Sequence, residues 1–275
     1  MAKPIQLILS DIDGTILDSH HQLDSKLVDT ISDLKKANIP FVLASARSPH
    51  AMFPIAKALN LGKTPIACYN GALIVQGDHN QYETVIEHCL RKTDVKKIVT
   101  LLRSQFPNIS INAYSGGDWI VEKFDKWVII ESDITKEIPQ AKNIDLVIMD
   151  TLSSIHKMLL IAEADEIKEF YDYLGQFVFE DVSFYLSKDN YLEVTSQSVS
   201  KENALLEIAK YYGVSLDNTM TIGDNFNDIP MLKLAGLGVA MSNAPQEVKN
   251  EADEATSSNN DNGVSQAIAK YVLHA

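Results

Sequence analysis

The sequence predicts an α/β fold, a parallel sheet with covering helices, interrupted by an α+β insert. Three observations predict it. Short apolar segments alternate with helical periodicity from the N-terminus to Asn70, antiparallel patterning follows, and the first pattern returns from Lys201 onward. Ile5 to Leu9 is short and apolar and ends at Ser10-Asp11, which suits a strand covered on both faces. Leu27, Val28, Ile31 and Leu34 then recur at helical spacing, between an N-cap at Asp24 or Ser25 and a stop at Asn38. Phe41 to Ala44 forms the second strand and closes in Ser45-Ala46-Arg47. Ser48-Pro49 opens a helix that carries Pro54 and stops at Gly62. Pro65 to Tyr69 is the third strand, ending at Asn70-Gly71.

Beyond Asn70, Ala72 to Val75 and Tyr82 to Ile86 flank Gly77-Asp78-His79-Asn80 and read as a hairpin leaving the sheet. A helix with Val95, Ile98, Leu102 and Phe106 on one face follows, then a hairpin around Gly116-Gly117, a helix from Asp165 to Leu174, and the strand pair Val182 to Leu186 and Tyr191 to Thr195. The parallel pattern resumes with a helix from Lys201 to Tyr212 stopped by Gly213, a strand Thr219 to Ile222 and another from Leu237 to Met241. The expected division is therefore a discontinuous core, 1–84 and 191–275, around an insert, 85–190. Thr84 to Ile86 and Tyr191 to Ser196 are the expected hinges.

Composition excludes several function classes. The chain has 275 residues and a formal net charge of −13, which argues against binding nucleic acid through bulk positive charge. No apolar run approaches the ~18 residues of a membrane span, and the N-terminal residues lack a secretory-signal pattern, so the expected address is cytoplasmic with no membrane partner. Cys68 and Cys89 cannot make a disulfide framework or a four-thiolate metal site. Nothing in the sequence names a protein partner.

In an open parallel sheet, reactive groups collect at the carboxyl ends of the strands. Four such ends carry polar residues here: Asp11-Ile12-Asp13-Gly14-Thr15, Ser45-Ala46-Arg47, Asn70-Gly71, and Gly223-Asp224-Asn225-Phe226-Asn227-Asp228. Asp11 and Asp13 leave the same face of an extended chain, and Gly14 permits an abrupt turn. With Asp224 and Asp228 they form an anionic cluster that needs a cation, and oxygen-only ligands select a hard ion such as Mg²⁺. A carboxylate nucleophile beside such an ion points to phosphoryl transfer, with Asp11 as nucleophile and Asp13 as general acid and base. Ser45, Lys201 and Asn227 are the donors available to the phosphoryl oxygens. Arg47, Asn70 and Gly71 are further candidate substrate contacts. Trp119 and Trp127 read as insert core or as a substrate platform, and Asn243 as a helix start or a support for the phosphate loop.

These residues resemble the haloacid dehalogenase (HAD) superfamily of phosphatases, in particular its Cof-type, class IIB group with an inserted α/β cap. Asp11-Ile12-Asp13-Gly14-Thr15 is similar to its first motif, Ser45 to the second-motif hydroxyl, Lys201 to the third-motif lysine and Gly223-Asp224 through Asn227-Asp228 to the fourth. The resemblance spans the chain and implies a Rossmann-like three-layer core. It also implies that Asp11, Asp13 (through its carbonyl) and Asp224 ligate Mg²⁺, that Asp228 orients the metal shell, and that backbone near Ile12 and Ala46 joins Ser45, Lys201 and Asn227 around the phosphate. Two positions depart from the usual pattern. Ala46 stands where glycine is common, and Glu202 follows Lys201 where glycine is common, which would weaken the lysine's field if Glu202 turned inward.

The expected function is an Mg²⁺-dependent phosphatase that hydrolyses small phosphorylated metabolites (sugar phosphates, pyridoxal phosphate or FMN) through an aspartyl-phosphate, with the insert choosing the substrate. A phosphomutase on the same scaffold is one alternative. A phospho-receiver or ligand sensor without turnover is another, which Asp13 argues against because an acid/base group beside the nucleophile serves turnover.

Overall fold

The computed structural model describes residues 4–24 and 26–274. The chain divides into two compact units, the first comprising Met1–Arg47, Met52–Ile86 and Ser200–Ala275, the second Ser48–Ala51 and Glu87–Val199.

In the first unit the order is β1 (Leu7–Ser10), α1 (Leu27–Lys36), β2 (Phe41–Ala44), α2 (Pro49–Ala58, whose first turn groups with the second unit), β3 (Ile66–Cys68), β4 (Leu73–Gly77) and β5 (Tyr82–Glu87). Every residue of β1, β2 and β3 is buried, as expected of strands covered on both faces. Asp24, one of the two expected caps of α1, accepts from the Lys26 N–H at 2.8 Å and from the Ser265 hydroxyl at 2.6 Å. The other, Ser25, lies outside the described residues.

The second unit adds α3 (Lys92–Gln105), β6 (Ser110–Ser115), β7 (Asp118–Val121), α4 (Lys126–Thr135), β8 (Gln140–Ala141), α5 (Ile144–Met149), β9 (Lys157–Ile161), α6 (Ala164–Leu174), β10 (Ser183–Lys188) and β11 (Tyr191–Thr195). The chain then returns to the first unit through α7 (Lys201–Tyr212), β12 (Thr219–Gly223), α8 (Ile229–Leu234), β13 (Leu237–Ala240), α9 (Gln246–Glu251), β14 (Glu254–Ala255) and α10 (Gly263–Ile268).

The first unit's sheet runs β14-β13-β12-β1-β2-β3-β4-β5. It is parallel from β14 to β3 and turns antiparallel at β4. Leu7 and Leu9 of β1, Val42 of β2 and Ala67 of β3 share one apolar cluster with Leu205 and Ile208 of α7 and Met231 of α8. The second unit's sheet runs β10-β11-β9-β6-β7-β8, antiparallel except at β7–β8. Its alternate residues, such as Ile111, Ala113, Met158, Leu160, Leu192 and Val194, face a core completed by Val95, Ile98 and Leu102 of α3 and Ile167 and Phe170 of α6.

Two expectations are corrected. The hairpin after Asn70 does not leave the sheet, because Leu73 to Val75 pair back on β3 and extend it as antiparallel edge strands. The break expected after Asn190 falls inside the second sheet, where β11 is laddered to both β9 and β10. A strand bonded on both sides cannot serve as a hinge at Tyr191 to Thr195, and the second unit runs on to Val199.

Candidate active site

Register brings the first unit's polar ends together. Leu9 pairs with Thr221 and Ser10 with Ile222 on one side, and Ser10 pairs with Leu43 on the other, so the residues just beyond share one edge. The Asp11 N–H continues the ladder to the Ile222 carbonyl at 2.9 Å. Beyond it the Ile12 carbonyl accepts from the N–H groups of Thr15, Ile16 and Leu17 and turns the chain sharply. Gly14 adopts φ +79°, and a Cβ there would lie 2.3 Å from an Asp224 carboxylate oxygen, so only glycine lets the two loops close on each other.

Lys201, the first residue of α7, is fixed by Ser200, whose hydroxyl oxygen accepts from the Asn203 N–H at 3.0 Å. Its Nζ lies 2.5 Å from both Asp11 Oδ1 and Asp228 Oδ1, and all three side chains are buried. Asp228 Oδ2 accepts from the N–H groups of Asp224 and Asn225, each at 2.9 Å. With both oxygens so engaged, Asp228 braces Lys201 and the Gly223–Asn225 turn. Thr15 Oγ1 donates to Asp224 Oδ1 at 2.8 Å.

Asp11, Asp224 and Asp228 can bring one oxygen each within 4.8 Å of one another. Burial raises the Asp11 carboxyl above the usual carboxylate range; Lys201 opposes this and Asp228 adds to it. Asp224 is raised too, by burial first, against the Thr15 bond. Burial pulls Lys201 down, but Asp11 and Asp228 together outweigh it and hold the ammonium charged. With one ammonium among three carboxyls, the carboxyls oppose one another's ionisation, and a cation would favour their ionised forms. The donors are all oxygens, so the residues fit a hard divalent ion, with Asp11 and Asp224 positioned to hold it.

Among the described residues one other group has ligand chemistry: Glu87, Cys89 and His156 in the second unit. The Gly116 N–H donates to His156 Nδ1 at 3.1 Å, which places the imidazole proton on Nε2, 3.2 Å from Glu87 Oε2. Neither ring nitrogen then offers a lone pair to a metal. Burial also raises the Cys89 thiol, away from the thiolate that metals bind.

The remaining expected residues divide. Ser45 is buried at the end of β2, its carbonyl accepting from the Asn70 N–H at 2.7 Å. Ala46 lies between Ser45 and Arg47 in the same short loop. Asp13 is not in the carboxylate cluster; Arg47 Nε donates to its Oδ2 at 2.8 Å and Nη2 to its Oδ1 at 2.5 Å. Asn227 sits on the turn Phe226–Asp228, outside the bonds that join Asp11, Lys201 and Asp228. Asn70 has φ 57°, and its side-chain oxygen is buried without a hydrogen-bond partner.

Gly71, a candidate substrate contact from the sequence, lies against the start of α7. With φ +101°, a Cβ there would lie 2.9 Å from Ala204 Cβ and 3.2 Å from the Ser200 carbonyl, so its bareness lets the start of α7 approach. Glu202 is not an ion-pair partner of Lys201 among the described residues. Trp119 is core: it is buried and donates to Asn112 Oδ1 at 3.0 Å. Asn243 supports the first loop, donating to the Gly14 carbonyl at 2.9 Å, while Asn259 donates to the Leu17 carbonyl at 2.9 Å. Thr15 and Asn259 are site supports that were not among the expected residues. Thr15 lay inside the first motif, whereas Asn259 carried no local signal.

A family profile described as haloacid dehalogenase-like hydrolase matches residues 8–268. The chain is 35% identical over 260 residues, 94% of each sequence, to a Haemophilus influenzae protein described as a candidate phosphatase. It is 27% identical to the 5-amino-6-(5-phospho-D-ribitylamino)uracil phosphatase YcsE of Bacillus subtilis, covering 98% of this chain and 96% of that one. Among solved structures, a haloacid dehalogenase-like hydrolase from Bacteroides thetaiotaomicron superposes with a TM-score of 0.85 at 29% identity, over 97% of this chain and 99% of the other.

Proposed function

Since the chain belongs to the haloacid dehalogenase-like hydrolases and is a phosphatase acting on small phosphorylated substrates, we propose that it works with Mg²⁺ through an aspartyl-phosphate on Asp11. The observation that carries this reading is Lys201 Nζ at 2.5 Å from both Asp11 and Asp228 at the edge where Asp224 also emerges.

Asp11 Oδ attacks phosphorus as the bond from phosphorus to the leaving oxygen breaks, and the Asp13 carboxyl gives that oxygen its proton. Water then attacks the phosphorus of the acyl phosphate while Asp13 takes up the water's proton, which frees inorganic phosphate and restores Asp11. Lys201, Ser45 and Asn227, with backbone N–H groups near Ile12 and Ala46, hold the phosphoryl oxygens. Asp11, Asp224 and the Asp13 carbonyl would ligate the ion, with Asp228 orienting the shell. When bound, the ion would neutralise the carboxylates and withdraw charge from the transferring group.

The name of the Bacillus relative supports substrates of the size of a phosphorylated metabolite. The test is phosphate release from a panel of sugar phosphates, pyridoxal phosphate and FMN, with Mg²⁺ and with chelator, together with trapping of the acyl phosphate by hydroxylamine. Release that needs Mg²⁺ and a trapped adduct on Asp11 are expected. Release unchanged in Asp11→Asn, or an adduct elsewhere, would overturn the assignment.

A further inference from the structure

Asp13 is the most exposed of the site's carboxylates, yet it is the one whose direction the proposed chemistry depends on most. Its side chain is 46% exposed, whereas those of Asp11 and Asp228 are buried. What fixes it is Arg47: two parallel N–H donors, Nε and Nη2, meet its two oxygens at 2.8 and 2.5 Å. Such a fork occupies one lone pair on each oxygen, sets the plane of the carboxylate, and leaves an outward lone pair free to exchange a proton. An ion pair this exposed adds little to stability, so its contribution is geometric.

Arg47 is itself held. Its N–H donates to Ser45 Oγ at 3.3 Å and its carbonyl accepts from the Tyr69 N–H at 3.0 Å, while the Asn70 N–H binds the Ser45 carbonyl at 2.7 Å. Tyr69 and Asn70 adopt φ of 52° and 57°, consecutive left-handed residues that are not glycine. That turn at the end of β3 directs two successive N–H groups at the carbonyls of Arg47 and Ser45. Strain of this kind persists where surrounding structure enforces it.

From this geometry we propose that Arg47 is the positioning residue of the acid/base Asp13, braced by the Tyr69-Asn70 turn, and is not a substrate contact. The inference rests on the acid/base role proposed for Asp13 above. It separates the two substrate types that a phosphatase meets. An alkoxide leaving group needs the proton from Asp13, whereas a p-nitrophenolate leaves without one. Dephosphorylation needs Asp13 as base in both cases.

The test is single-turnover phosphorylation of Asp11 by glycerol phosphate and by p-nitrophenyl phosphate, in wild type, Arg47→Ala, Arg47→Lys, Asp13→Asn and the Arg47→Ala/Asp13→Asn double variant, each checked for folding by circular dichroism. In Arg47→Ala the rate from glycerol phosphate is expected to fall by about 10²-fold or more, while the p-nitrophenyl burst stays within about threefold. The double variant should be no slower than Asp13→Asn alone, and lysine should recover part of the loss. Equal losses with both substrates, a raised KM with unchanged kcat, or additive losses in the double variant would overturn the proposal. If hydroxylamine traps no adduct on Asp11 of wild type with either substrate, it is the aspartyl-phosphate reading that fails.

Discussion

The two units each hold a group of side chains of metal-ligand type, and the two groups differ in what their lone pairs are doing. In the first, Asp11 and Asp228 share one ammonium with Asp224 close by, and the carboxyls oppose one another's ionisation. In the second, His156 spends one nitrogen on the Gly116 N–H and turns the other, protonated, toward Glu87, so the group is already satisfied. Proximity alone would rank them alike. The first group sets carboxyls against one another, whereas both ring nitrogens of His156 already have partners.

The sharpest way to break that comparison is at the nucleophile. Asp11→Asn keeps the size of the side chain and is expected to lower kcat by about 10⁴-fold or more, measured as phosphate release. Chelation comes next: removal of divalent metal should cost on the order of 10³-fold, recovered on adding Mg²⁺, and His156→Gln should leave that dependence unchanged. A metal requirement altered in His156→Gln would mean that the second group binds an ion after all. A third variant acts through sterics. Gly14→Ala puts a Cβ 2.3 Å from Asp224 at a positive φ, so kcat should fall by about 10²-fold and thermal unfolding should come several degrees earlier.

The smallest expected effect is on stability against pH, where the groups act with opposite sign. His156 has its pKa lowered below its ordinary 6.5, by burial against the Glu87 bond. Its contribution to stability is therefore full above pH 6.5 and drains as pH falls below it, since the unfolded chain takes up the proton first. Asp11 and Asp224 are raised above their ordinary 3.8. Without metal, their contribution is present below pH 4 and is lost as pH rises through their folded values. Tm profiles in chelator should fall on both flanks. Mg²⁺ should lift the alkaline flank and His156→Gln the acid one; a profile that ignores Mg²⁺ would count against the carboxylate site.

Much of the site was legible because its residues lie at strand ends in chain order. The first motif announces itself through Asp11, Asp13 and Gly14 within a few residues, and Ser200-Lys201 through a helix start. The partners that fix those residues were less legible. Thr15 to Asp224 and Asn243 to Gly14 span more than two hundred residues, and no local pattern records such a bond. Gly71 shows the same limit. Asn-Gly after a strand looks like a turn presented to a ligand, but its bareness answers to Ala204, which only the folded chain brings near. The insert's C-terminal limit was misplaced because Tyr191 to Thr195 alternates like any edge strand, and its pairing on both sides is a property of the sheet.

The sequence by itself determined the alternation of apolar strands and helices, the parallel sheet that follows from it, and the chemistry available at its carboxyl edge, because these depend on residue type and spacing along a few turns. Only the tertiary structure decided which carboxylate meets Lys201, that Asp13 faces Arg47, and that His156 is satisfied. Those outcomes depend on distances of 2.5 to 3.2 Å between residues far apart in the chain, where the direction of each donor and lone pair selects the partner.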